Sequence, residues 1–65
     1  MTKLPLKAHR TLNDMSQQEV AEKVGVERNT YASWEKYETF PSAIQLLQLA
    51  EVFECSIDDI LIVTN

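Results

Sequence analysis

Arg28, Asn29, Ala32 and Ser33 are spaced so that a helix through them carries all four on one face. Their chemistry is that of groups that read base-pair edges. A guanidinium pairs bidentately with guanine, a carboxamide does so with adenine, and a methyl group suits the thymine methyl. Ser16, Gln17, Gln18, Thr30, Lys36, Tyr37 and Thr39 can each donate a hydrogen bond to phosphate. A polar helix face is most often plain solvated surface, so these side chains take their meaning from the elements that hold them. Other chemistries lack their parts. No nucleophile has a base near it, no glycine-rich phosphate loop occurs, and His9 and Cys55 stand alone with no metal-ligand spacing. Neither an enzyme, a metal centre, a cofactor nor a small-molecule ligand is expected.

The elements that must position these residues lie in Gln17 to Lys36, QQEVAEKVGVERNTYASWEK. Val20 and Val24 are four apart and share a helix face, as do Tyr31 and Trp34 at a spacing of three. Gly25 stands between the two pairs, free to take a positive φ that a Cβ opposes. Ala21 is small enough to let the second helix cross close to the first. Ser16 with Glu19 forms an S-x-x-E capping box that starts the first of the two helices. The N–H groups at that start can grip a phosphate together with Gln17 and Gln18. The pattern is a helix-turn-helix, whose second helix enters the major groove of DNA.

With Ser16-Gln17-Gln18 ahead of it and Trp34-Glu35-Lys36 closing it, this segment resembles the phage repressor and Cro-type (Xre-like) DNA-binding domains. The resemblance runs from about Leu6 to Leu61. It implies an all-α fold, a lambda-repressor-like bundle of five short helices with the helix-turn-helix as helices 2 and 3. It also implies a partly buried ion pair between Arg10 and Glu35 that fixes the scaffold. Four positions depart from the family pattern: His9 stands where an apolar residue is usual, Tyr37 and Glu54 where glycine ends a helix, and Glu27 is the fourth. Glu27, at the start of the reading helix, replaces the commoner serine or threonine.

Sixty-five residues make one small domain, which buries roughly 60% of the surface its unfolded chain exposes. The lone cysteine excludes an internal disulfide, and no apolar run is long enough to span a membrane. A reduced, cytoplasmic setting fits. Net charge is −4, which at first argues against a nucleic-acid partner. Its distribution argues otherwise. Up to Tyr37, six basic residues face five acidic ones, a balance of +1; from Glu38 onward five acids meet no base, a balance of −5. The reading half is near neutral and the other half acidic, so binding is weaker and less sticky than for a strongly basic domain.

Residues 1–5 read as a flexible arm and 6–61 as the DNA-binding domain. Helix 1 is expected from Leu6 to Asn13, with Leu12 and the stem of Arg10 inward, and His9 as a partly buried, hydrogen-bonded side chain. Ser42 caps helix 4, whose apolar residues run nearly all round and place it at the centre of the core. Ser56 caps a helix 5 from Ile57 to about Leu61, with Asp58 and Asp59 favoured by its dipole. Residues 62–65 form an apolar tail. Ile57, Ile60, Leu61, Ile62 and Val63 are more apolar than a free terminus needs, which points to a homodimer contact. Two reading helices then meet successive major grooves of double-stranded DNA on a palindromic operator. The expected function is a sequence-specific transcriptional regulator, a repressor acting by operator occupancy. The alternative is a protein-interaction module such as an antirepressor or an antitoxin-like partner binder, on the strength of the net negative charge and Glu27.

Overall fold

Four short amphipathic helices, each with its own stop signal, set the architecture of the computed structural model, which describes residues 3–62. They are α1 (Leu6–Leu12), α2 (Gln17–Val24), α3 (Arg28–Glu35) and α4 (Ala43–Val52), followed by a 3-10 turn at Ile57–Asp59. The starts of α2 and α4 are reciprocal capping boxes. Ser16 Oγ accepts from the Glu19 N–H while the Glu19 carboxylate accepts from the Ser16 N–H, and Ser42 with Gln45 repeats the arrangement.

Every helix ends the same way. A residue with left-handed backbone follows each one: Asp14 (φ 55°), Gly25 (φ 83°), Tyr37 (φ 60°) and Glu54 (φ 54°). The next N–H then returns to the carbonyl five residues back: Met15 to Arg10, Val26 to Ala21, Glu38 to Ser33, and Cys55 to Ala50, at 3.0–3.2 Å. These six-to-one bonds satisfy carbonyls that a helix end otherwise strands. Tyr37 and Glu54 thus adopt the glycine conformation without being glycine, at a strain of about 1–2 kcal/mol each.

The core joins Leu6 of α1, Val20, Ala21 and Val24 of α2, Tyr31 and Trp34 of α3, and Leu49, Ala50 and Phe53 at α4. Ala21 is fully buried, as its small size at the helix crossing requires. His9 is buried as well. Its ring stacks on Phe53 at 5.5 Å, and Nε2 donates to the Asp59 carbonyl at 2.8 Å, which fixes the proton on Nε2 because a carbonyl can only accept.

Four expectations need correction. Leu12 is 72% exposed and not inward, because α1 turns its other face to the core. In α4, Ile44 (71% exposed) and Leu47 (53% exposed) face solvent, so that helix packs along one side and is not central. The fold is all-α as expected, but its fifth element is a single 3-10 turn and not a helix reaching Leu61. Ile60 is already extended and is 4% exposed. Leu4, within the segment read as a loose arm, forms a parallel bridge with Ile60. The Leu4 N–H reaches the Asp59 carbonyl at 3.0 Å and the Leu61 N–H reaches the Leu4 carbonyl at 2.9 Å. Val63 and the two residues after it lie outside the described residues.

The Arg10–Glu35 ion pair is present, with Nε to Oε2 at 2.6 Å and a second contact at 3.3 Å. Its side chains are 13% and 6% exposed. Arg10 also donates to the Met15 carbonyl, and the Gln17 amide donates to Glu35 Oε1 at 2.9 Å. The Tyr31 hydroxyl is buried beside the pair, with no hydrogen-bond partner within bonding geometry among the described residues. Burial pushes its pKa far up, reinforced by the Glu35 charge. Burial also pushes the Glu35 carboxyl up, but its hydrogen bonds, that from Arg10 foremost, outweigh this and hold it below its ordinary value. A folded-state pKa below the unfolded one makes the folded form favour the carboxylate. The stabilisation is complete above the unfolded value and disappears as pH falls through the folded one. Wild type should therefore lose more stability than Glu35→Gln between pH 7 and pH 3 in urea unfolding. Equal losses would mean that the pair carries no such linkage. At pH 7, Glu35→Ala should cost about 3 kcal/mol by stranding Arg10.

Candidate nucleic-acid interface

The reading helix α3 is oriented by what it buries. Tyr31 and Trp34 turn inward and meet edge to face at 6.0 Å. Residues on the opposite side of a 3.6-residue repeat must then face outward. Arg28, Asn29 and Thr30 are exposed, while Ala32 and Ser33 are half-buried along the same ridge. Ser33 Oγ donates to the Asn29 carbonyl at 3.0 Å, so its hydroxyl proton is already committed. Arg28 and Asn29 are thus the more available of the four base-reading candidates.

Glu27 is the residue that caps α3, yet its side chain accepts no hydrogen bond from the helix start. The early N–H groups of α3 are left to solvent or to an incoming anion. Among the phosphate candidates, Ser16, Gln18, Thr30, Lys36 and Thr39 are exposed. Gln18 donates to Glu22 at 3.0 Å within its own helix. Gln17 is half-buried, and its amide nitrogen donates one N–H to Glu35, which leaves the second N–H as its remaining donor. The Tyr37 hydroxyl makes a long 3.4 Å contact with the Leu61 carbonyl, tying the exit of α3 to the C-terminal segment. Of the residues read as a dimer contact, Ile57 and Leu61 are partly open at the surface and Ile62 is half-buried. Ile60 belongs to the protein's own core.

A feature the sequence reading passed over is a hollow of about 440 Å³ on the flank of α3. Asn29, Thr30 and Ser33 line one side, Thr39 and Gln45 the other, and Trp34 and Phe40 supply aromatic surface. Phe40 is 47% exposed. The available signal was a phenylalanine in the short link between α3 and α4, whose other residues are Lys36, Tyr37, Glu38, Thr39, Pro41 and Ser42.

Comparison with known proteins gives this geometry a family. A helix-turn-helix family model matches residues 6–60. The chain belongs to that family. It is 37% identical over 57 residues to the uncharacterised HTH-type transcriptional regulator MJ0272 of Methanocaldococcus jannaschii, covering 88% of this chain and 86% of that one. Among solved structures it is similar to the P22 c2 repressor, which was crystallised in complex with a synthetic operator. The TM-score is 0.77 and identity 32%, over 82% of this chain and 80% of that one. The likeness to phage repressor domains drawn from the Gln17–Lys36 segment is borne out.

The uncapped start of α3 generates a test. Glu27→Ser supplies the missing side-chain acceptor and should raise stability by about 1 kcal/mol in urea unfolding. A fall in stability would show that the Glu27 charge at the helix dipole outweighs a capping hydrogen bond.

Proposed function

We propose that this member of the helix-turn-helix family binds double-stranded DNA in a sequence-specific manner and regulates transcription inside the cell by occupying an operator. One observation carries the reading. α3 presents Arg28 and Asn29 outward on a rigid ridge, with Tyr31 and Trp34 locking its other side into the core. A guanidinium and a carboxamide at the start of such a helix are the groups that discriminate guanine and adenine in the major groove. The solved relative is a repressor on an operator, which supports repression over activation.

Dimerisation fits the dimensions. The domain measures 30 × 28 × 20 Å, so two copies side by side place equivalent helices close to one DNA turn apart, about 34 Å. Ile57, Leu61 and Ile62 supply the contact in this reading, and an imperfect palindrome is the matching site. Leu61→Asp should leave the fold intact and shift the protein to monomer in sedimentation velocity. An unchanged dimer would move the contact elsewhere.

A second reading rests on two observations: the balance of −5 from Glu38 onward, and Ile44 and Leu47 exposed on α4 beside Glu51. Together they suit a protein partner, as in an antirepressor or antitoxin-like role. Retention on heparin at low salt favours DNA, and stoichiometric capture of one host protein favours the alternative.

The decisive experiment is selection of bound sequences from random duplexes. It should enrich a two-fold symmetric motif. Arg28→Ala should then relax preference at one base pair per half-site by about 1–3 kcal/mol in anisotropy titrations, with the salt dependence nearly unchanged. No enrichment, or an Arg28→Ala protein with unaltered preference, would overturn the assignment.

A further inference from the structure

Glu27 brings a negative charge to the start of the reading helix, and the scaffold makes no use of it. Among the glutamates before Tyr37, Glu19 completes a capping box, Glu22 accepts from Gln18 and Glu35 holds Arg10. The Glu27 carboxylate is exposed, caps nothing and joins no ion pair among the described residues. It stands immediately before Arg28 on extended backbone (φ −73°, ψ 150°), at the helix end whose residues meet base edges in a helix-turn-helix. A carboxylate only accepts hydrogen bonds, and phosphate repels it. In the major groove guanine offers two acceptors, N7 and O6, and thymine an acceptor and a methyl group. Adenine sets the N7 acceptor beside its N6 amine. Cytosine offers the N4 donor with no acceptor on its own groove edge. A carboxylate carried into the groove opposite any other base is desolvated and left unpaired, so the wrong base is penalised more than the right one is rewarded.

We propose that Glu27 is a specificity residue that accepts a hydrogen bond from the N4 amine of a cytosine, in the base pair next to the one Arg28 reads. The inference rests on the DNA-binding reading above and deepens it. Arg28 selects its base by attraction, whereas Glu27 selects the neighbouring one by rejecting the other three. The same charge lowers affinity for every duplex by repelling phosphate, so Glu27 exchanges affinity for selectivity.

The test replaces each cytosine of a selected operator in turn, with its complement, and measures affinity by fluorescence anisotropy for wild type, Glu27→Ser and Glu27→Gln. Wild type should lose about tenfold at one cytosine per half-site, whichever base replaces it. N4-methyldeoxycytidine at that position keeps the base pair but puts a methyl group where the free N–H was, and should cost wild type a similar factor. Glu27→Ser should bring the preference at that position close to one, leave the other positions unchanged and bind nonspecific duplex more tightly than wild type. Glu27→Gln, which keeps an acceptor but adds a donor that suits the other bases, should fall in between. Thermal unfolding followed by circular dichroism establishes that both variants are folded. Three results would overturn the proposal: wild type indifferent to N4-methylation at every cytosine, a cytosine preference that survives Glu27→Ser, or a gain from Glu27→Ser that is equal on all sequences, which would make Glu27 a phosphate-repelling charge only. Failure of wild type to bind any duplex would instead remove the DNA-binding reading, and this inference with it.

Discussion

An eight-residue helix has no stability of its own in water, because nucleation consumes what so few backbone hydrogen bonds return. The reading helix α3 is that short, so its orientation is wholly a matter of what grips it. Tyr31 and Trp34 hold it from within, and Glu35 ties its last turn to Arg10 of α1 and Gln17 of α2. The ion pair therefore joins three helices through one carboxylate. Its cost is the desolvation of two charges, which the extra hydrogen bonds from Gln17 and to the Met15 carbonyl help to offset. The buried Tyr31 hydroxyl lies beside it.

The rest of the scaffold serves the same end by local rules. Capping boxes begin α2 and α4, and left-handed exits close all four helices, so each segment has a defined start and stop before tertiary packing begins. A domain with so small a core needs this agreement between local and global signals. His9 adds a link that an apolar residue cannot make. By stacking on Phe53 and bonding to the Asp59 carbonyl, it pins the C-terminal segment against α1 and α4. The Leu4–Ile60 bridge completes that seam.

Much of this was legible in the residues themselves. Ser16 with Glu19, Gly25 between Val24 and Val26, and the Tyr31–Trp34 pair each carry a local signal strong enough to place α2, the turn and α3. Tyr37 and Glu54 were legible as helix ends through the family resemblance, while their left-handed backbone was not, since side chains of their type oppose it. The C-terminal third was harder. Ile44 and Leu47 satisfy an apolar period as well as Leu49 and Phe53 do, and periodicity alone does not say which side of a nearly all-apolar helix meets a core. Ile57 to Leu61 looked helical from its cap and first-turn acids, but pairing with Leu4 draws Ile60 into extended backbone. That contact joins residues 56 positions apart, and no local signal announces it. Gln17 was readable as a phosphate donor by type, while its turn toward Glu35 depends on the assembled ion pair.

The account depends on α3 being the surface that meets DNA. Backbone amide spectra of the 15N-labelled protein, recorded while an enriched duplex is added, test this most directly. The largest shifts should fall on Arg28, Asn29 and Thr30, with further shifts at the start of α2 and in the loop through Phe40. Shifts confined to the acidic half, from Ala43 through Ile62, with Arg28 and Asn29 unmoved, would contradict it.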